Sequence, residues 1–369
     1  MSDLRVIPSP RHVDVAVTGR CNLSCAYCFY ADEMVARADL PAERWLAFFV
    51  ELGRLAVMNV CLTGGEVFTR PDLFELIDGV TANHMRYQLL SNGTLITERV
   101  LAQFEIGKRR QRLDSIQISI DGSCAEVHDL SRPHSFNSAI RGLRYLMAAK
   151  YPVTVRVTVN RYNVDDLENI AHVLLDEVGL PHFSTNEAYP CGATVRGDAG
   201  VMLRTAERRK AMRTLSDLAE RYHGRITANA GPLVLSRELR KAEELLAQGC
   251  TSVPGRGTLS SCGGAFSQLA VLHDGTIVPC HNLSTLHMGQ IGVDSLQEIW
   301  LNHPVMNAVR LRSWIPLDTL DTCHDCRYQF DCAGGCPGGA VFLTGQLNAR
   351  NPMDCMRVHK GEDPYFTLP

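Results

Sequence analysis

The 369-residue chain has no run approaching the roughly 18 uninterrupted apolar residues that a membrane-spanning helix needs. Its N-terminus, MSDLRVIPSPRHVDV, has no basic segment leading into an apolar one, so no secretory signal is read there. Neither sign of charge dominates. Thirty-seven Lys and Arg against 40 Asp and Glu give a formal −3, and so no electrostatic ground for nucleic acid or an anionic membrane as partner. Low-complexity segments and simple repeats are also missing. These absences lead us to expect a cytoplasmic protein. Cysteine is not scarce. Fourteen are present, and in a reducing compartment clustered cysteines point to metal ligation or catalysis rather than disulfides. Cys21, Cys25 and Cys28 stand together near one end, eight lie between Cys250 and Cys355, and Cys61, Cys124 and Cys191 are scattered between.

The first half alternates β-rich runs with amphipathic helical segments. Strands are expected over 12–19, 59–65, 86–93, 114–122 and 152–160, with 180–189 supplying a sixth. Helices are expected over 40–56, 71–83, 97–105, 135–150 and 165–179. Such alternation predicts a parallel sheet, and six βα units predict an α/β fold of the partial (β/α)6 barrel type, with chemistry at the C-terminal ends of the strands. There the sequence places the cysteine loop after the first strand, TGGE after the second, SNG after the third and SIDG at the end of the fourth. Residues 195–249 read as polar helices closing the barrel. From 250 the texture turns to glycine, cysteine and short strands, with His273-Asp274-Gly275 as a hairpin turn. The expected division is a barrel with bridging helices over 1–235 and a small cysteine-rich domain over 236–369.

Three thiolates without a nearby fourth suit neither a closed zinc site, which wants four ligands, nor a fully ligated iron–sulfur cubane. The CxxxCxxC spacing of RCNLSCAYCF, its place after the first strand and the aromatic Tyr27 before the third cysteine resemble the radical S-adenosylmethionine (SAM) enzymes. The resemblance implies that Cys21, Cys25 and Cys28 hold a [4Fe–4S] cluster whose fourth iron takes the amino and carboxylate groups of SAM. It also implies SAM contacts at Tyr27, at Gly64-Gly65-Glu66 (the family's GGE motif), at Ser119 in SIDG and at Arg132 in HDLSRP.

Farther on, Cys262, Gly275 and Cys280 precede Cys323-x2-Cys326-x5-Cys332-x3-Cys336 and, after a gap, Cys355. This resembles the seven-cysteine SPASM pattern of a C-terminal extension holding two auxiliary clusters. By that analogy, one cluster takes Cys262, Cys280 and Cys336 with Cys250 as fourth ligand, and the other takes Cys323, Cys326, Cys332 and Cys355. Without Cys250, the first auxiliary cluster would have an open iron. The alternative is a pair of zinc ribbons, which leaves the N-terminal triad unexplained. Cys61 is read as a small core residue. Cys191 and His281 are weak catalytic candidates: Cys191 follows the sixth strand, and His281 stands where sulfatase-maturing relatives carry a catalytic aspartate.

The double resemblance implies a maturase that abstracts hydrogen from a residue of a ribosomally made precursor peptide, giving a crosslink or other oxidation. Alternatives are a formylglycine-forming sulfatase maturase, which the histidine at 281 argues against, a SAM-dependent dehydrogenase of a small molecule, and a non-enzymatic electron carrier or zinc-binding module. Expected partners are the precursor peptide and a flavodoxin- or ferredoxin-type reductant. With the first strand beginning near residue 12 and fourteen residues after Cys355, leader recognition is expected from the enzyme surface or from a separate leader-binding protein.

Overall fold

The computed structural model describes residues 5–36, 38–196 and 199–364. Strands β1 (His12–Thr18), β2 (Asn59–Gly64), β3 (Arg86–Ser91), β4 (Leu113–Ser119), β5 (Val153–Val159), β6 (Phe183–Glu187) and β7 (Ile226–Ala228) follow one another in space. Each runs parallel to its neighbour. Helices cover the outer face of this sheet. The helix Ala42–Arg54 places Trp45, Phe48, Phe49 and Leu52 at helical spacing, and all four are buried. Leu73, Leu76, Ile77 and Val80 do the same on Leu73–Ala82. Both helices pack into the core that takes Val13, Val15 and Val17 of β1 and Leu62 of β2.

Two features differ from expectation. Residues 195–249 are not wholly helical: Ile226–Ala228 adds a seventh parallel strand beside β6. Three residues are too few to show strand alternation, and this strand's pairing is set by β6 rather than by its own pattern. The expected helix at 165–179 begins as Leu167–Ala171 and widens into π turns over His172–Glu177.

The C-terminal cysteine-rich region adds three strands to the same sheet. Strand β8 (Gln268–Val271) pairs parallel with β1. Antiparallel β9 (Thr276–Val278) and β10 (Gly289–Gln290) follow, giving ten strands in all. The His273-Asp274-Gly275 turn lies between β8 and β9, with Gly275 at φ +88°. A helix, Pro232–Ala247, runs through residue 235, so the backbone passes unbroken from one region to the other.

Since β8 covers the edge of β1, removing residues 250–369 would leave that edge unpaired. The shortened chain is expected to elute as aggregate in size-exclusion chromatography where the full chain does not.

Candidate functional site

The cysteine loop is shaped by backbone before any metal is considered. Gly65 N–H donates to Thr18 carbonyl at 2.8 Å and Glu66 N–H to Arg20 carbonyl at 2.7 Å, extending the β1–β2 pairing into the loop. A Cβ on Gly64 would lie 2.2 Å from the Thr18 oxygen, and one on Gly65 2.1 Å from the Arg20 oxygen. The glycine pair is therefore required by close backbone approach to the loop that carries Cys21. Asp39 holds the loop's other side, accepting from Thr18 Oγ1 at 2.7 Å and from Gly19 N–H at 2.6 Å.

Asp121, the third residue of SIDG, is wholly buried. Its carboxylate accepts from the Tyr27 hydroxyl, from Arg132 Nε at 2.5 Å and from Thr158 N–H at 2.6 Å. Arg132 lies over the Tyr27 ring at 5.3 Å and directs Nη1 toward Cys25 Sγ at 3.7 Å. Tyr27 and Arg132 thus meet beneath the triad. Composition does not single out Asp121; its place directly after a strand carrying Ser119 was the available signal. The Asp121 N–H bonds to His128 Nδ1 at 3.0 Å, which leaves Nε2 as the donor toward Ser135 Oγ, 2.9 Å away. Burial lowers the His128 pKa to about 4.

Glu66 is likewise fully buried, and burial raises its pKa. Oε1 accepts from Ser91 Oγ at 2.8 Å and Phe68 N–H at 3.2 Å, and Oε2 from Asn92 N–H at 2.7 Å. Asn92 also donates to Asn22 Oδ1 at 2.9 Å, so the SNG turn after β3 grips the cysteine loop. Ser119 ends β4, opposite Arg156 of β5.

Burial raises all three triad thiols, that of Cys28 to about 11. Leu23 N–H donates to Cys21 Sγ at 3.4 Å, and the Arg132 guanidinium faces Cys25. Donors and positive charge directed at sulfur suit thiolates bound to an iron–sulfur cluster. Cys191 is buried with Cys28 within electrostatic reach, and burial pushes its thiol up to about 12. Next to it Gly192, at φ +59°, packs so closely that a Cβ would meet the Cys28 oxygen at 2.3 Å.

The C-terminal region reaches this loop directly. Tyr30 Oη is 2.9 Å from His273 Nδ1 and accepts from the His273 N–H at 3.2 Å. The His281 ring stands edge-on to Tyr30 at 5.9 Å. Both its ring nitrogens are buried without a hydrogen-bond partner among the described residues, and burial lowers its pKa.

Seven of the remaining cysteines fall into two groups. Cys323, Cys326, Cys332 and Cys355 line one pocket with Arg350 and Asp354. Arg350 pairs with Asp363 at 2.6 Å, and Gly334 N–H donates to Cys332 Sγ at 3.3 Å. Cys280, pushed up to about 12 by burial, is within electrostatic reach of Cys336 and Cys262. Cys262 is exposed and left-handed at φ +65°, a conformation costing a non-glycine residue roughly 1–3 kcal/mol. Arg312 fixes the backbone before it through the Ser260 carbonyl at 2.8 Å, and Arg310 the backbone after it through the Ala265 carbonyl at 2.9 Å. The Cys250 thiol donates to the Ser252 carbonyl at 3.2 Å.

Residues 15–174 match the Radical SAM superfamily, and residues 262–327 match SPASM, an iron–sulfur cluster-binding domain. An AdoMet-dependent heme synthase of Methanosarcina barkeri is 27% identical over 95% of this chain and 98% of its own length. A PqqA peptide cyclase of Ruegeria pomeroyi is 27% identical over 95% of this chain and 88% of its own. Among solved structures, Streptococcus suis SuiB bound to precursor peptide SuiA superposes with a TM-score of 0.73 at 15% identity, covering 95% of this chain and 77% of that one. anSMEcpe with bound AdoMet gives 0.69 at 18%, covering 95% of each. At these identities the two structures show a shared fold.

Two outcomes test the loop architecture. Gly65→Ala should displace the Arg20 carbonyl and lose about four irons per chain while the C-terminal iron stays, read by iron counting after reconstitution. His128 binds a proton more readily unfolded than folded, so its contribution is present above its ordinary pKa and lost as pH falls toward 4. Denaturant melts should show roughly 3 kcal/mol of stability lost across that window, and less in His128→Gln.

Proposed function

We propose that this chain, which joins a radical SAM domain to a SPASM domain, is a maturase that abstracts hydrogen from a residue of a precursor peptide. The observation that carries this reading is the cysteine loop at the C-terminal ends of the parallel strands, held by the GGE turn and by Asp121 and touched by the C-terminal hairpin. The likeness to a PqqA peptide cyclase supports a peptide as substrate.

Cys21, Cys25 and Cys28 would hold the SAM-binding cluster, with Glu66, Ser119 and the Tyr27–Arg132 pair as its surroundings. When reduced and bound, this cluster supplies the electron that splits SAM into methionine and a 5′-deoxyadenosyl radical. The residues' own work is orientation. Glu66 is fixed by Ser91 and Asn92 within electrostatic reach of Cys21, where a carboxylate would suit an ammonium group. Arg132, anchored on Asp121, adds positive charge beside Cys25. Cys323, Cys326, Cys332 and Cys355 would hold one auxiliary cluster, and Cys262, Cys280 and Cys336 another. Cys250 is the remaining candidate for the fourth ligand of the latter. His281, next to Cys280 in the chain and edge-on to Tyr30, would be the candidate proton acceptor, provided that its ring becomes open to substrate. The reductant would be of flavodoxin or ferredoxin type, the compartment the cytoplasm, and leader recognition a task of the enzyme surface or of a separate protein. No helix among the described residues is long and apolar enough to cross a membrane.

A second reading, oxidation of a small molecule, is favoured by the match to a heme synthase over nearly its full length. The test begins with anaerobic reconstitution of wild type beside a Cys21/Cys25/Cys28→Ala variant. Roughly twelve irons are expected, falling by about four in the variant together with all 5′-deoxyadenosine formation. Short peptides encoded beside the gene are then offered to the reconstituted enzyme and weighed. Loss of hydrogen mass from one of them is the expected result; unchanged peptides with turnover of a small molecule would favour the second reading.

A further inference from the structure

Ser119, Arg156 and Ser184 stand side by side on β4, β5 and β6. Their neighbours Ile118, Val155, Val157 and Phe183 belong to the core under the helices. Side chains alternate along a strand, so this rung faces the opposite, concave side of the sheet. Polar residues continue along that side, with Asp14 on β1 and Gln117 and Thr154 on the rungs nearby.

Arg156 is the exception among the more buried arginines. Arg70, Arg109, Arg132 and Arg208 each meet a carboxylate. Arg310 and Arg312 donate to backbone carbonyls. Arg156 is half-buried, and its Nε donates to Ser184 Oγ at 2.8 Å. No carboxylate among the described residues pairs with it, and burial lowers its pKa with no charged neighbour to offset the effect. Its terminal nitrogens have no partner among the described residues and are not sealed from solvent. Taking a guanidinium partly out of water without a counter-ion is costly, and its planar fork matches a carboxylate with two parallel hydrogen bonds.

Direction selects the source of that carboxylate. The bond to Ser184 tilts the side chain toward β6. Glu66, Asn92 and the triad, which would receive the amino-acid end of SAM, lie at the ends of β1, β2 and β3, and Ser119, the expected SAM contact on β4, flanks Arg156 on the side away from Ser184. We propose that Arg156 anchors a carboxylate of the substrate on the concave face. This deepens the preceding reading and rests on its assignment of that face to substrate.

Phenylglyoxal, which modifies arginine, tests this on the wild-type reconstituted enzyme, with modification at Arg156 followed by peptide mass spectrometry and the exposed Arg20 as internal control. With SAM present, millimolar glutarate should slow modification of Arg156 by ~3-fold or more, as a bidentate ion pair shields both terminal nitrogens, while neutral glutaramide leaves it unchanged. Equal protection by SAM alone overturns the proposal, because the carboxylate would then be the cofactor's. Absence of protection by any carboxylate overturns it as well and leaves the peptide reading untouched. Acetyl-Gly-Glu-Gly-amide is compared with its Gln counterpart. Protection by the acidic peptide supports the site with a peptide substrate; protection by glutarate alone supports the site and turns the substrate reading toward a small acid.

Discussion

A single buried ion pair, Asp121 with Arg132, organises the candidate centre. One carboxylate oxygen receives both Tyr27 and Arg132, and the other receives the backbone of β5. Through these bonds the second half of the sheet holds the loop that grows from its first strand. Removing the acid would leave a guanidinium buried and unpaired, which in proteins costs roughly 3–5 kcal/mol. The pair therefore sets the position of Cys25, and through it the geometry of the triad.

The C-terminal region is part of this frame rather than an attachment to it. Strand β8 extends the sheet at β1, and the turn that follows delivers His273 to Tyr30, two residues beyond Cys28. Disturbance at Cys280 or His281 thus has a short physical path to the triad through packed rings. The auxiliary cysteines sit on irregular backbone, and arginines rather than regular secondary structure keep that backbone in place. Arg310 and Arg312 hold the Cys262 segment, and Arg350 stands against the Cys323–Cys355 group. Such a region would depend on its metals for stability far more than the barrel does.

Glu66 and Arg156 divide the concave face by charge. The carboxylate stands at the β2 end, satisfied by β3, while the guanidinium stands on β5 and leans toward β6.

The sequence alone determined the parallel α/β architecture, because six β-rich runs separated by amphipathic helices leave little else to build. The close spacing of Cys21, Cys25 and Cys28 was legible as local chemistry, whereas the grouping of the distant C-terminal cysteines was implied by the family resemblance alone. The GGE and SIDG turns were legible as turns, but the partners of their glycines and acids were not. That Gly64 and Gly65 press on the backbone at residues 18–20, that Asp121 binds Arg132, and that β8 lies beside β1 are facts about residues far apart in the chain. So is the pairing of the three-residue β7, whose own pattern is too short to read. Periodicity records which face a residue turns to the core. Only tertiary structure decides which distant backbone or charge it meets there, and at this site those long-range meetings hold the loop in place.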